Sequence, residues 1–285
     1  MSALNDLIKA RRQKLEALKK LGINPYPSRV SFVLTPIAEV GQNFKKHSRS
    51  GKAVGIAGRI MARREHGGVA FIDIFDGSGK LQAFFAKDKL GEKSFKLFSE
   101  VIDIGDFVAL QGKAFYTKKK EPTLEASKWE IITKALRPLP EKWHGLQDAE
   151  EKLRKRYLDI LFGQETRELA EKKAVFWNAV REFHIKNGFL EVETPVLEVT
   201  PGGADAKPFI THHQALDMDV YLRISAGELW QKRLMVAGFR KTFEIGRIFR
   251  NEGMSAEHLQ DYTQCEAYWA YTDYKDMYKF LSECY

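Results

Sequence analysis

The spacing of hydrophobic residues predicts an amphipathic helix at the start of the chain. Its apolar residues fall on one stripe, Lys and Arg fill the other positions, and Gly22 is a suitable helix end; the stripe comprises Leu4, Leu7, Ile8, Leu15, Leu18 and Leu21. Pro25 and Pro27 then predict an extended exit, because proline restricts the residue before it. A basic helix of this kind fits contact with nucleic acid and fits docking on its own domain equally well.

From about residue 53 to residue 133 the pattern changes to short strands. Three alternating runs come first, VGIAGRIMARR, VAFIDIF and KLQAFFA, with an EHGG turn and an Asp76-Gly77-Ser78-Gly79 turn between them. A helical piece, EKSFKLFSEVI, precedes two further strands, DFVALQGKAFY and PTLEASKWEII. Three strands, a helix and two strands are the order of a five-stranded OB-fold β-barrel.

Basic residues lie where such a barrel binds oligonucleotides. The fold uses the face of its second and third strands, together with the loops between strands 1 and 2 and between strands 4 and 5. Arg63 and Arg64 lie beside the first of these loops, and Lys118, Lys119 and Lys120 form the tip of the second. The barrel is therefore predicted to bind an oligonucleotide.

The proline-punctuated segment 133–146 is predicted to be part of a linker to a second domain. Helical stretches follow at 148–161 and 166–187, Gly188 ends the second of them, and a mixed region of strands and helices begins with FLEVETPVL. We predict an α+β protein with four segments: a basic helix and extended lead-in at 1–52, the barrel at 53–133, the linker at 134–150, and the second domain at 151–285.

Two strands near the end of the chain, in TFEIGRIFRNE and DYTQCEAYWAY, carry the most informative pattern. Alternation assigns one apolar face to Phe243, Ile245, Phe249, Cys265, Ala267 and Trp269. The opposite face carries charged and aromatic residues, namely Glu244, Arg250, Glu252, Tyr262, Gln264, Glu266 and Tyr268. This face fits exposure to water, and it also fits a site for a charged ligand that contains a ring; the pattern alone does not decide between them.

Charge adds a further distinction between the two halves. Residues 1–150 hold 27 Lys and Arg against 17 Asp and Glu, whereas residues 151–285 hold 19 against 21, so the excess positive charge belongs to the first half. This asymmetry fits a polyanionic partner there, and it also fits a role in solubility alone. Two cysteines, the lack of a signal-peptide pattern and the lack of a long apolar run lead us to expect a soluble, cytoplasmic protein.

Several runs resemble one enzyme family. GFLEVETPVL (188–197) resembles motif 1 of class II aminoacyl-tRNA synthetases, and GRIFRNE (246–252) with its loop and following strand resembles motif 2. Within that class the chain is most similar to class II lysyl-tRNA synthetases along nearly its whole length. The supporting runs are RRQKLEALKKLGINPYP, TKALRPLPEKWHGLQD, RYLDI, PGGADAKPFITHHQALDMDVYLRIS, FRNEG and YWAYTDYKDM. The resemblance implies an anticodon-binding OB-fold barrel followed by a class II catalytic domain built on an antiparallel sheet.

The resemblance also implies a reaction and the residues for its ATP. L-Lysine would react with ATP to give lysyl-adenylate and would then be transferred to the 3′ end of tRNA(Lys). Arg250 matches the catalytic arginine that bridges the α-phosphate and the substrate carboxylate. Glu252 matches the residue that binds the adenine amino group, Tyr262 the ring that stacks on adenine, and His258 a loop histidine near the phosphates.

Lysine and the anticodon have their own implied residues. The lysine site would comprise Gly203, Glu228, Arg250, Glu266 and Tyr268, with a carboxylate opposite each ammonium group. The anticodon would contact Arg64, Phe71 and Gln82 in the barrel, although a single Phe on a barrel strand also fits a core position. The resemblance further implies Mg²⁺ and a homodimer in which motif 1 forms part of the interface.

The chain departs from the family pattern in three places. Ser225-Ala226-Gly227-Glu228-Leu229 is one residue longer than usual, and Glu257 replaces an arginine expected near the terminal phosphates. Motif 3 is not found before Tyr285, so the catalytic domain is expected to be incomplete, with its Mg²⁺ ligands beyond residue 285 and no metal site in this chain. We therefore expect little or no synthetase activity from residues 1–285 alone.

Three alternatives remain at this stage. Aspartyl- and asparaginyl-tRNA synthetases share the same domain plan, although the run PGGADAKPFITHHQALD and the pair Glu266 and Tyr268 favour lysine. Ligases that attach lysine to a protein typically lack the anticodon barrel. A non-catalytic fragment that binds tRNA or another RNA through the barrel and the basic helix is an alternative of a different class.

Overall fold

The computed structural model describes residues 2–140, 148–255 and 257–284, which form parts of two compact units, Met1–Arg154 and Lys155–Tyr285. The predicted limits of the four segments within these units stay predictions. Residues 141–147, which belong to the predicted linker, lie outside the described residues, as does Tyr285.

The first helix, α1 (Ser2–Lys20), docks on its own unit through the middle of its length. Leu15 and Leu18 are buried, whereas Leu4, Leu7 and Leu21 of the predicted apolar stripe are exposed. The guanidinium of Arg11 donates hydrogen bonds to the carbonyl oxygens of residues 104, 135 and 137, at distances of 2.8, 3.0 and 3.2 Å. Of the two possibilities for this basic helix, docking is therefore observed.

Two short helices, α2 (Ile37–Gln42) and α3 (Phe44–Ser50), follow within the segment predicted to be extended. Isolated helices of this length are marginal in water, so contacts elsewhere must hold them. Asp76 accepts a hydrogen bond of 2.8 Å from the Ile37 amide, and the Ser78 hydroxyl accepts one of 3.1 Å from the Ala38 amide. The turn between two barrel strands thus supports the start of α2, a contact that local sequence cannot predict.

The predicted five-stranded barrel is confirmed. The chain order is β1 (Ala53–His66), β2 (Val69–Phe75), β3 (Lys80–Ala86), α4 (Lys87–Leu90), α5 (Glu92–Val101), β4 (Phe107–Tyr116) and β5 (Pro122–Thr133). The strands close in the order β1-β2-β3-β5-β4, with β3 and β5 parallel and the other pairs antiparallel. Alternating side chains fill the barrel, including Ile56, Ile72, Ile74, Phe85 and Leu110.

After α6 (Ala149–Arg154), the last helix of the first unit, the second unit combines two three-stranded sheets with four helices among the described residues. Its elements are α7 (Arg156–Phe162), α8 (Gln164–Lys186), β6 (Leu190–Glu191), β7 (Leu197–Glu198), β8 (Ile210–His213), β9 (Met218–Leu222), α9 (Glu228–Val236), β10 (Lys241–Phe249), β11 (Asp261–Trp269) and α10 (Tyr274–Cys284). One sheet has the order β11-β10-β6 and the other β7-β9-β8. The predicted hairpin of β10 and β11 is present, and the short strand β6 pairs parallel to β10.

The apolar face predicted for this hairpin forms the core of the second unit. Phe243 is fully buried against Phe189 of motif 1 and Phe280 of α10. Ile245, Cys265, Ala267 and Trp269 pack around these three rings, as alternation predicts. Phe249, which was predicted for the same face, is not part of this cluster.

Candidate functional site

A large cavity on the surface of the barrel brings together the three residues predicted to read an anticodon. Its volume is about 890 Å³. Arg64, Phe71 and Gln82 all lie in its wall. They come from β1, β2 and β3, so this is the strand face that OB-folds use for oligonucleotides. The other lining residues are Asp73, Lys80, Phe84, Phe115, Thr117, Lys118, Lys119 and Glu121.

Aromatic rings form part of this wall. The Phe71 and Phe84 ring centroids are 4.8 Å apart, and Phe115 lies 6.1 Å from Phe84. The neighbours of Phe71 on β2, Ala70 and Ile72, are buried in the barrel core, whereas Phe71 is only half-buried and lines the cavity. The strand geometry therefore argues against a core position for Phe71. Its ring lines the cavity and is available for stacking on a base.

Sequence reasoning missed Phe84, Phe115 and Lys80 as members of this cavity. Alternation along β3 places Lys80, Gln82 and Phe84 on one face, so the signal was present in KLQAFFA. The charges in the wall are mixed, because Lys80 forms an ion pair of 2.9 Å with Asp73. Positive charge dominates at the turn between β4 and β5, where Lys118 and Lys119 line the cavity.

In the second unit, the face of β10 and β11 opposite the core is not simply exposed to water. Glu244 lies directly across from Glu266 in the hairpin, and Thr242 across from Tyr268. Glu244 is only 4% exposed and Thr242 is fully buried. Other segments of the unit therefore cover part of this face. Of the two interpretations that the sequence left open, exposure of the whole face to water is the less consistent with this burial.

The buried Glu244 carboxylate forms an ion pair with Arg223, a residue that sequence reasoning did not single out. Both side chains are buried. Arg223 also donates a hydrogen bond of 2.8 Å from Nε to the Arg247 carbonyl oxygen, and Thr194 donates one of 2.6 Å to Glu244. A buried charge is costly unless it is paired and hydrogen-bonded, and here both conditions are met. The cluster ties Thr194 of motif 1 and Arg223 to β10, the strand on which motif 2 begins.

Glu266 lies on the same face, with its carboxylate held by three donors. The Ala226 amide donates a hydrogen bond of 2.9 Å, and the Tyr268 hydroxyl and the Gln264 side-chain amide each donate one of 3.3 Å. Burial raises the pKa of Glu266 more than the bonds from Ala226 and Tyr268 lower it, and the nearby carboxylates of Glu228 and Glu244 raise it further. Burial also raises the pKa of Tyr268, so its phenol keeps its proton. An acidic group held in this way favours a cationic ligand.

Gly203 and Glu228, the other predicted lysine residues, lie in direct proximity to each other. A Cβ atom at Gly203 would come within 2.6 Å of Glu228 Oε2 and would overlap the Ser225 hydroxyl, and its φ of +95° disfavours other residues. Glu228 is the first residue of α9, which follows Gly227 in a left-handed conformation with φ of +79°. Gly227 thus takes a turn conformation that only glycine adopts readily, and Glu228 lies next to Gly203.

A cavity of about 320 Å³ in the second unit is lined by all four residues predicted for ATP. Arg250, Glu252, His258 and Tyr262 line it together with Gly253, Glu257 and Leu259. The Arg250 guanidinium lies 5.8 Å from the centre of the Tyr262 ring and donates a hydrogen bond of 3.3 Å to the Ile224 carbonyl oxygen. Glu257, which the sequence marked as a departure from the family pattern, also lies in the wall of this cavity.

The segment 224–228 joins the two groups of residues. Arg250 bonds to the carbonyl of Ile224, and the amide of Ala226, two residues later, bonds to Glu266. Glu228 follows at the start of α9. The cavity of Arg250 and the carboxylates of Glu266 and Glu228 are therefore connected through one short, mostly buried loop. A ligand that contains both a phosphate group and an ammonium group would suit this arrangement.

No group of three or more His, Cys, Asp or Glu in the described part of the chain could hold a metal ion. The Mg²⁺ that the resemblance implies therefore has no such cluster of ligands among these residues. Among the same residues, no helix is long and apolar enough to span a membrane.

Comparisons with known proteins match both units. The family described as OB-fold nucleic acid binding domain matches residues 54–132, and the family of class II tRNA synthetases (D, K and N) matches residues 148–284. A lysine–tRNA ligase of Carboxydothermus hydrogenoformans is 48% identical over 280 residues, which are 98% of this chain and 56% of the relative. Lysine–tRNA ligases of Dehalococcoides mccartyi and Pelotomaculum thermopropionicum are each 47% identical, over 95% and 98% of this chain and 55% and 54% of their own lengths. The chain spans about half the length of the curated relatives it matches.

Proposed function

The chain belongs to the class II tRNA synthetases of the D, K and N group, and we propose that its activity is that of a lysine–tRNA ligase. In this proposal L-lysine is activated with ATP and transferred to the 3′ end of tRNA(Lys). The barrel binds the anticodon, and the second unit binds lysine and ATP. A cytoplasmic homodimer that depends on Mg²⁺ is part of the same proposal.

One observation carries the choice of lysine. Glu266 and Glu228 are close enough for their charges to interact, and the Tyr268 hydroxyl donates a hydrogen bond to Glu266. Two neighbouring carboxylates attract a substrate with two ammonium groups and repel one with an acidic side chain. Lysine presents two ammonium groups once its carboxylate is bound by Arg250. The side chain of aspartate would instead add a third negative charge to those of Glu228 and Glu266. The same carboxylates give asparagine no ion pair for its side chain.

The proposed activation step needs positioning and charge stabilisation. A carboxylate oxygen of lysine attacks the α-phosphorus of ATP, a new P–O bond forms, and the bond to pyrophosphate breaks. The Arg250 guanidinium has enough donors to hold the lysine carboxylate and an α-phosphate oxygen at the same time. Tyr262 would stack on the adenine ring, Glu252 would accept from its amino group, and His258 would donate to a phosphate oxygen.

The transfer step then uses the tRNA. The 3′-terminal ribose hydroxyl attacks the carbonyl carbon of the adenylate and an ester forms. AMP leaves with the electron pair of the broken C–O bond, and the hydroxyl proton is released to water. In the barrel, Phe71 would stack on an anticodon base, Gln82 would hydrogen-bond to a base edge, and Arg64 would contact the backbone.

Amino-acid-dependent ATP–pyrophosphate exchange tests the proposal. The assay compares lysine, aspartate and asparagine with the protein encoded by the complete gene, and with residues 1–285 as a second sample. Exchange that requires lysine supports the proposal, whereas exchange driven by aspartate or asparagine overturns it.

A second function, RNA binding without aminoacylation, is favoured by one observation: the residues that line the barrel cavity all lie within the unit Met1–Arg154. Tight tRNA binding by the complete gene product, without exchange for any of the three amino acids, would support this alternative instead.

A further inference from the structure

A strongly basic segment lies outside the cavity described for the anticodon. Residues 40–64 contain seven Lys and Arg and no Asp or Glu. Lys45, Lys46 and Arg49 of α3 and Lys52 after it are all exposed. Among the described residues, none of these four forms an ion pair, whereas many other cations of the unit do. We call these four residues the α3 patch.

The α3 patch borders a cavity of its own, with a volume of about 630 Å³. Lys46, His47, Ser50 and Lys52 line it together with Phe32 of the lead-in segment, whose ring centre lies 5.5 Å from the Lys128 ammonium. Two ammonium groups, an imidazole and a hydroxyl are the groups with which proteins hold phosphate and sugar oxygens, and an aromatic ring offers a surface for stacking. The lining chemistry therefore suits a nucleotide unit of a polyanion.

This cavity lies on a different part of the barrel from the anticodon cavity. The strand residues that line it are Ala53, Val54 and Gly55 of β1 and Gln111 of β4. β1 pairs with β4 at this point, and Gly55 lies directly opposite Gln111. The anticodon cavity is formed mainly by β2, β3 and the β4–β5 turn. The two cavities share no lining residue.

A direct contact nevertheless connects the α3 patch with the basic turn of the anticodon cavity. The Phe44 ring, at the first residue of α3, packs edge-on against the Tyr116 ring at 5.0 Å. Tyr116 is the last residue of β4, and Lys118 and Lys119 of the following turn line the anticodon cavity. The start of α3 is therefore in contact with the end of the strand that leads into this basic turn.

We propose that the α3 patch is a second RNA contact, which binds backbone phosphates next to the bases held in the barrel cavity. This inference rests on the proposed tRNA function and extends it to a surface that the resemblance did not assign. Contacts to phosphates position an RNA without reading its sequence, and each contact makes binding more sensitive to salt. The α3 patch thus supplies affinity and register, whereas the aromatic cavity supplies selectivity.

The test uses the chain 1–285 with three RNAs: a tRNA(Lys) transcript, its anticodon stem-loop, and a single-stranded heptamer of the anticodon loop. The variant K46Q/R49Q removes two charges of the α3 patch and keeps polar side chains. We expect about tenfold weaker binding of the tRNA and the stem-loop at low salt, and a salt slope lower by about 2. Heptamer binding should stay within about twofold of the original protein, because it is held in the barrel cavity.

The variant K89Q/K93Q is the matched control, because Lys89 and Lys93 are also exposed lysines of this unit and form no ion pair among the described residues. K46R/R49K, which keeps both charges, should bind like the original protein. Thermal melts by circular dichroism check folding, and K45Q/K52Q provides a second pair of substitutions with the same expected effect.

Three outcomes would each overturn the inference. The first is a tRNA affinity and salt slope that K46Q/R49Q leaves unchanged, the second is a loss equal to that of K89Q/K93Q, and the third is an equal loss for the heptamer.

The failure of the proposed function would look different. If the Phe71→Ala variant bound all three RNAs normally while K46Q/R49Q lost tRNA and stem-loop binding, the anticodon role of the cavity would fail and the phosphate contact at the α3 patch would stand.

Discussion

The carboxylate of Glu266 accepts a hydrogen bond of 2.9 Å from the backbone amide of Ala226, 40 residues earlier in the chain. This bond links β11 to the loop that leads into α9, where Glu228 begins the helix. The loop also bonds to Arg250 through the Ile224 carbonyl. One backbone segment thus fixes the positions of an acidic side chain and a basic side chain that serve different parts of the proposed substrate.

Glu266→Gln should weaken the use of lysine as a substrate. The variant keeps the shape and loses the negative charge opposite an ammonium group, so we expect kcat/KM for lysine in pyrophosphate exchange to fall on the order of 100-fold. Glu193→Gln is the matched control, because Glu193 is exposed and forms no ion pair among the described residues. A fall of the same size in both variants would contradict a specific role for Glu266.

The pH dependence of Glu266→Gln provides an independent measurement. Burial raises the pKa of Glu266 above its ordinary value of 4.5, so the folded protein binds this proton more tightly than the unfolded chain does. Stability from this group is present below the ordinary pKa and is lost as pH rises through the raised one. The melting temperature of Glu266→Gln relative to the original protein should therefore increase between pH 4 and pH 8, and a constant difference would contradict the raised pKa.

Phe71→Ala should weaken RNA binding through loss of stacking. Each stacked base contributes about 1–3 kcal/mol, so the dissociation constant for the anticodon stem-loop should rise about 5- to 150-fold. Phe71→Leu is the matched variant, because it keeps an apolar side chain that packs against Phe84 and removes the aromatic face. Equal losses in both variants indicate stacking, whereas a normal affinity in Phe71→Leu would show that Phe71 contributes only packing.

Gly246→Ala should destabilise the second unit. A Cβ atom at this position would overlap Nη2 of Arg223 and lie 3.1 Å from its Cζ and from Glu244 Oε1. The buried ion pair would have to move, and disruption of such a pair costs about 3–5 kcal/mol. Urea unfolding followed by fluorescence measures this change. Gly253→Ala is the control, because a Cβ there meets nothing within 4 Å, and an equal loss in that variant would contradict the explanation.

Asp76→Ala should loosen α2 from the barrel and alter the acid stability of the first unit. Burial raises the pKa of Asp76. Hydrogen bonds from the amides of Ile37, Ser78 and Gly79 and from the Ser78 hydroxyl lower it by more, so the pKa lies below its ordinary value of 3.8. Stability from this carboxylate is present above the ordinary pKa and is lost as pH falls through the lowered one. At pH 7 we expect a loss of about 1–2 kcal/mol.

The loss in Asp76→Ala should shrink as pH falls from 5 towards 2, since the original protein also loses the charged carboxylate there. Asp88→Ala provides the comparison, because Asp88 is exposed on the same unit. A loss in Asp76→Ala that is independent of pH would contradict the lowered pKa.

Much of the second unit's hairpin could be predicted from its sequence. Alternation assigned Phe243, Ile245, Cys265, Ala267 and Trp269 to one face, and all five pack in the core. Phe249 was assigned to the same face and is not in that core. It is the last residue of β10 and pairs with Asp261, the first residue of β11.

The polar face of the same hairpin could not be predicted in the same way. Its pattern fitted water and fitted a ligand site, because alternation says only which residues share a face. What covers that face comes from Arg223 and Thr194, which are 21 and 50 residues away from Glu244 in the chain. Their burial depends on contacts between distant residues, so no local pattern contains it.

By itself, the sequence determined the five-stranded barrel, the hairpin of β10 and β11 and the family, because these depend on periodicity, turn residues and ordered motifs. Only the tertiary structure decided that α2 and α3 form in the predicted extended lead-in, that Arg223 and Glu244 are paired, and that Phe84, Phe115 and Lys80 share a cavity with Phe71. The physical reason is the same in each case. A strand or helix pattern follows from neighbouring residues, whereas the burial of a charge, the support of a short helix and the lining of a cavity depend on which distant segments pack together.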